Sequence, residues 1–215
     1  MAFPTTPILD DFNTSGSQAL TSRTGWGATT FGGGARGTYS TDATPTLATS
    51  AVSAGNFWNS SSVDCEAYVT VAAFDNVNDT MKVAARITVA GSSPTFYCIE
   101  CDFGTTTDFQ LVKYVAGGRT LLATSAQAVV ANDGVGISVI GSQVTSYFRS
   151  GLGGSWVQKD TVSDGSITGS GFIGGFQHDF SFTSRFDEFG GGAPGVAPPA
   201  EQRRVASWIT RSGGR

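Results

Sequence analysis

The chain is poor in the residues on which most catalytic and cross-linked proteins depend. It has 215 residues but one histidine, three cysteines and only 14% charged side chains. With His178 alone, no multi-histidine metal centre forms. His178 precedes Asp179, but no Gly-x-Ser-x-Gly elbow supplies a nucleophile, and a His–Asp pair adjacent in sequence orients itself poorly for a triad. An odd cysteine count argues for reduced thiols rather than a disulfide framework. Cys98-Ile99-Glu100-Cys101 has CxxC spacing, yet residues i and i+3 of a strand point to opposite faces. Cys65 and Cys101 are expected as small core groups.

No apolar run approaches the roughly 20 residues of a membrane-spanning helix. Met1 to Pro7 has neither the basic region nor the apolar stretch of a secretory leader. The expectation is a protein made in a cytoplasm that, where it acts outside a cell, leaves by another route such as lysis. Helical periodicity is missing too. Gly169-x-Gly171-x-x-Gly174 matches a dinucleotide pattern, but that motif needs a helix after it. Here Gly175-Phe176-Gln177-His178 reads as strand and turn.

What the chain does have is glycine (29 residues), serine, threonine and short alternating stretches. Such a pattern means strands joined by turns. Phe180, Phe182 and Phe186 share one parity, with Ser181, Thr183, Arg185 and Asp187 on the other. This is the last strand of the folded body, and Phe186-Asp187-Glu188-Phe189 echoes the opening Ile8-Leu9-Asp10-Asp11-Phe12. The first and last strands are expected side by side. Cys65, Ala67, Val69 and Val71 form one core stripe, leaving Glu66 and Tyr68 opposite. Met81, Val83, Ala85, Ile87 and Val89 form another, against Lys82 and Arg86. In the next strand Tyr97, Ile99, Cys101 and Phe103 face the core, and Glu100 and Asp102 face away. A hairpin between these two strands brings Arg86 near Glu100, where opposite charges contribute roughly 0.2–1 kcal/mol.

About a dozen strands with no βαβ unit give an all-β, two-sheet antiparallel sandwich over 1–189. A Gly/Pro linker follows over 190–200, flexible and then stiffened by proline. Residues 201–215 form a basic docking tail with a short helix. All acids but Glu201 precede residue 190, whereas Arg203, Arg204, Arg211 and Arg215 follow it. The acidic body does not suggest nucleic-acid binding. Arg203, Arg204, Trp208, Ile209 and Arg211 are the expected partner-docking residues, because Trp and Arg are enriched at interaction hot spots.

The order of motifs carries a resemblance. Asp10-Asp11-Phe12, Trp26, Lys113-Tyr114-Val115 turning through Gly117-Gly118 to Leu121-Leu122-Ala123, Val135 to Ile140, Gly169-Ser170-Gly171-Phe172-Ile173-Gly174 and Phe186-Asp187-Glu188-Phe189-Gly190-Gly191 follow one another. Over residues 8–191 this resembles the concanavalin A-like (laminin-G-like) jelly-roll modules of tailed-bacteriophage virion proteins. The resemblance implies two packed antiparallel sheets, a glycan-facing surface and, in some members, a rim calcium ion. Glu66, Tyr68, Arg86, Glu100 and Asp102 are the glycan-facing candidates. Asp10, Asp11 and Asp187 meet if the terminal strands pair, and carboxylate clusters suit calcium; the alternative is a pair of capping turns. Otherwise no cofactor is expected. Jelly-roll glucanases carry Glu-x-Asp-x-(x)-Glu on one strand. Glu100-x-Asp102 is followed here by Phe103-Gly104-Thr105, so the acid pair is incomplete.

These readings converge on a non-enzymatic structural virion protein, a minor tail or tail-tip module that contacts host surface glycans. Its tail would anchor it to other virion proteins in an oligomeric particle. The alternatives are a capsid decoration protein and a glycan-degrading jelly-roll enzyme.

Overall fold

A computed structural model describes residues 2–12, 18–19, 22–27, 37–39, 45–47, 54–73, 80–88, 93–102, 108–178 and 185–195. Its strands are β1 (Ile8–Asp10), β2 (Gln18–Ala19), β3 (Gly37–Tyr39), β4 (Pro45–Leu47), β5 (Ala54–Ser62), β6 (Cys65–Ala73), β7 (Thr80–Thr88), β8 (Thr95–Asp102), β9 (Asp108–Val115), β10 (Gly118–Ala126), β11 (Gly134–Ile140), β12 (Gln143–Arg149), β13 (Trp156–Ser163), β14 (Gly171–His178) and β15 (Arg185–Gly192). They form two antiparallel sheets. The long sheet runs β13-β12-β11-β6-β15-β4-β3-β2, with β1 on β15, and the short sheet runs β10-β9-β8-β7-β14-β5. Phe180 and Phe182 lie outside the described residues, as do Val89, Phe103 and the expected docking residues Arg203, Arg204, Trp208, Ile209 and Arg211.

The period-two stripes become the core. Cys65, Ala67, Val69 and Val71 of β6 pack with Met81, Val83 and Ala85 of β7 and with Tyr97, Ile99 and Cys101 of β8. Val135, Ile137 and Val139 of β11 complete the layer. Burying one large aliphatic side chain stabilises by about 1.5–3 kcal/mol, so this layer is the main source of stability. Cys98 lies in a separate cluster with Phe57, Ala84, Ile87, Phe96 and Val112 on the outer side of the short sheet. The CxxC sulfurs therefore do diverge, and burial pushes the Cys65 thiol up to about 11.

One stripe changes face midway. Arg86 has φ 50°, and the β7–β8 register shifts between Ala85 and Thr88. This β-bulge adds one residue and reverses the side-chain alternation. Ile87 thereby joins the outer cluster instead of the core stripe expected of it. Gly171 of β14 makes the bulge possible, since a Cβ there would lie 2.5 Å from the Arg86 carbonyl carbon.

The terminal strands pair as expected, Ile8 opposite Gly190 and Asp10 opposite Phe189. Strand β15 then continues past residue 189. Gly190, Gly191 and Gly192 pair with Tyr68, Ala67 and Glu66. Gly191 has φ 147°, and a Cβ there would lie 2.2 Å from the Glu66 carbonyl oxygen. The glycines expected to begin a linker are part of the sheet because only glycine fits there.

Candidate ligand-binding faces

The outer face of the short sheet holds a hollow of about 380 Å³ lined by Thr80, Lys82, Glu100, Gln110, Tyr114, Arg119 and Leu121. Register builds it. Lys82 lies opposite Glu100 across β7–β8, Glu100 opposite Gln110 across β8–β9, and Tyr114 opposite Arg119 across the β9–β10 hairpin. Glu100 sits at the centre, 6% exposed. Its Oε1 accepts from the Tyr114 hydroxyl at 2.6 Å, and its Oε2 accepts from Arg119 Nε at 2.9 Å. Lys82 Nζ stands 3.5 Å from Oε1. Burial, reinforced by the bond to Glu100, raises the Tyr114 phenol above its ordinary range. Arg119 also donates to Gln110 Oε1, which fixes the guanidinium on the hollow's rim.

Arg86 is not the partner of Glu100. The bulge turns it away, so that Nε donates to the Val63 carbonyl at 2.6 Å and Nη1 to the Ile167 carbonyl at 3.1 Å. Nη2 reaches Asp64 at 3.4 Å. Arg86 thus ties two connecting segments to the short sheet, and Arg119 and Lys82 take its expected place. The β9–β10 turn could have revealed this, because a two-residue hairpin loop fixes which side chains oppose each other. Asp102 ends β8, paired through its backbone with Thr80 and Asp108.

Glu66 and Tyr68 lie elsewhere, on the outer face of the long sheet. The structure does not bring them together with Glu100. They are covered by residues 2–7. Glu66 Oε2 accepts from the Thr5 amide at 2.8 Å and from the Thr5 and Thr6 hydroxyls at 3.1 Å each. The Tyr68 hydroxyl donates to the Thr6 carbonyl at 3.0 Å. Burial, then the nearby Glu188 and Glu66 carboxylates, raise the Tyr68 phenol. Gly191 donates its amide to the Pro7 carbonyl at 3.2 Å, and Gly195 donates to Thr5 Oγ1 at 2.9 Å. Phe3, Tyr147 and Trp156 join this face although the sequence reading passed over them. Tyr147 and Trp156 sit in alternating strands, but nothing in the sequence marks Phe3 as their partner.

The terminal acids are near one another but differently occupied. Asp10 accepts from Arg23 Nε at 2.7 Å, Trp26 Nε1 at 2.8 Å and the Phe12 amide at 2.8 Å. The Arg23 guanidinium stands 2.5 Å from Asp10 Oδ1. Asp187 Oδ1 accepts its neighbour's amide, Glu188 N, at 2.7 Å. Burial, followed by the charges of Glu188, Asp11 and Asp10, raises the Asp187 carboxyl above the usual range. Among the described residues no group of three or more acidic, histidine or cysteine side chains converges to hold a metal. Asp10 is thus held by an arginine, an indole and a backbone amide.

No protein-family model matches the chain, and no curated protein matches it by sequence. Solved structures do match. The CBM2 module of the evolved Dit of Lactobacillus casei BL23 phage J-1 superposes with TM-score 0.54 at 12% identity, covering 84% of this chain and 92% of that one. The β-glucanase of Bacillus licheniformis gives TM-score 0.54 at 15% identity, over 84% and 99%. The Ca2+-bound exoplasmic/lumenal domain of VIP36 gives 0.55 at 11% identity, over 90% and 91%. The fold is a concanavalin A-like jelly roll. Identities this low establish the jelly-roll architecture and leave the activity to the side chains. In this jelly roll Glu66 and Tyr68 lie on a covered outer face and Glu100 on the open one.

Proposed function

We infer that the protein is a non-enzymatic carbohydrate-binding jelly roll of a tailed-bacteriophage virion, placed in the tail or tail tip, where it contacts host surface glycans. One observation carries the non-enzymatic reading. Glu100, the sole glutamate of the Glu-x-Asp pair, has both oxygens engaged, by Tyr114 and by Arg119. A glycoside hydrolase needs one carboxyl group as proton donor and a second as nucleophile or base. A carboxylate fixed by a cation and a phenol instead presents an ordered polar surface, with Gln110, Lys82 and Arg119 around it for sugar hydroxyls. Tyr114 and Leu121 add apolar area. The phage Dit module supports the viral context by its architecture, and the Gly/Pro linker with its arginine- and tryptophan-bearing tail suits a module anchored to another virion protein.

The experiment compares the full chain with a 1–195 truncation. Both are tested on host envelope polysaccharide and on virions lacking this protein, with fold checked by circular dichroism. The truncation should bind polysaccharide and lose virions. Full-length protein that coats virions while neither form touches polysaccharide would replace the glycan reading with capsid decoration. Release of reducing sugar from the polysaccharide would replace it with hydrolysis.

A further inference from the structure

The covered face of the long sheet is built around a ring. Phe3 stacks parallel on Tyr147, with centroids 3.8 Å apart and planes 2° apart. Trp156 meets Phe3 edge-on at 5.1 Å and Tyr68 meets it edge-on at 6.2 Å. Gly136 forms the floor, for a Cβ there would lie 2.5 Å from Phe3 Cζ. Beside the ring, the hydroxyls of Thr5 and Thr6 both donate to Glu66 Oε2. Arg149 lies over Trp156 at 5.2 Å, and its buried Nε has no acceptor.

Residues 2–7 therefore present one flat ring and two neighbouring hydroxyls to three aromatic side chains and a carboxylate. A pyranose offers the same combination. Its C–H groups suit the electron-rich face of an aromatic ring, and its adjacent hydroxyls suit a carboxylate that only accepts. We propose that Tyr68, Tyr147, Trp156, Gly136 and Glu66 form a pyranose-binding cradle. Segment 2–7 fills it as an internal ligand, and a neutral oligosaccharide binds when Phe3 leaves. The proposal rests on the carbohydrate-binding reading above but not on the short-sheet hollow. Arg149 Nε supplies a donor for a ring or hydroxyl oxygen.

The test uses the full chain carrying Phe3→Ala and Thr5→Ala. It is titrated calorimetrically with cellohexaose and with N-acetylchitohexaose beside the unmodified chain. A cradle open in fewer than a tenth of molecules loses at least about tenfold in apparent affinity, so opening it should tighten binding by that factor for at least one sugar. Adding Tyr147→Ala should return affinity to the unmodified level. If Tyr114→Ala abolishes the gain and Tyr147→Ala does not, the gain belongs to the short-sheet hollow. The cradle is then overturned and the carbohydrate reading stands. A folded double variant that binds neither sugar more tightly also overturns the cradle. Binding of the unmodified chain to host polysaccharide tells that failure from failure of the carbohydrate reading. If thermal unfolding shows the double variant is not folded, Phe3→Leu keeps apolar volume without the flat ring. It should give a smaller gain in the same direction, and no gain overturns the proposal.

Discussion

Glu66 and Glu100 make a matched pair on opposite outer faces of the sandwich. Both are nearly sealed from water, at 3% and 6% exposure. Their partners differ in kind. Glu66 accepts from an amide and two hydroxyls of a segment some sixty residues earlier. Glu100 is held by cations from β7 and β10 and a phenol from β9, all strands of its own sheet. Neutral donors on a separate segment can leave together, whereas cations rooted in the sheet stay. On the proposal above, the long-sheet face is covered by a segment that can leave, whereas the short-sheet face is built from strands of the sheet itself.

The largest expected effect tests how firmly the covered face is built. Gly191→Ala places a Cβ against the Glu66 backbone in a conformation that disfavours side chains. It should cost about 3 kcal/mol or more in urea unfolding and loosen segment 2–7. Next comes the pair itself. Glu100→Ala strands Lys82 and Arg119 beside a buried site, a loss of about 3 kcal/mol. Glu66→Gln keeps an acceptor for neutral donors and should cost only about 1 kcal/mol. Equal losses would break the comparison. Tyr114→Phe removes one bond to a charged acceptor, about 1.5 kcal/mol, with Arg119 still in place; a loss as large as that of Glu100→Ala would mean the phenol, not the cations, holds the carboxylate.

The smallest effect concerns the edge where the two ends meet. Asp187 has a raised carboxyl in the fold, so the folded state holds its proton more tightly than the unfolded chain. Its contribution is most favourable at acid pH and declines as pH rises from the ordinary carboxylate range through the raised folded value. Asp187→Asn removes that decline. The variant should be slightly more stable at neutral pH, with a flatter stability curve across that interval. A curve as steep as that of the unmodified chain would assign the slope to another acid.

Most of the layer structure was legible because burial on one face imposes a period of two, and the stripes in β6, β8 and β11 obey it. Arg86 broke the reading of β7, since nothing in the local sequence announces a left-handed backbone at an arginine. The error propagated to the partner assigned to Glu100. The covering of Glu66 and Tyr68 was illegible for another reason. Phe3, Thr5 and Thr6 reach them through long-range packing that carries no periodic signal. The glycines at 190–192 read as a linker because close approach between strands and chain flexibility select the same residue.

The anchoring of residues 5 and 7 to residues 195 and 191 has a mechanical consequence. The two segments enter and leave the antiparallel β1–β15 pair from the same side. Tension applied between them would peel these contacts in sequence rather than shear them together. Tethered through one of these segments only, the module would carry load without straining this seam; pulled by both, it would open there first.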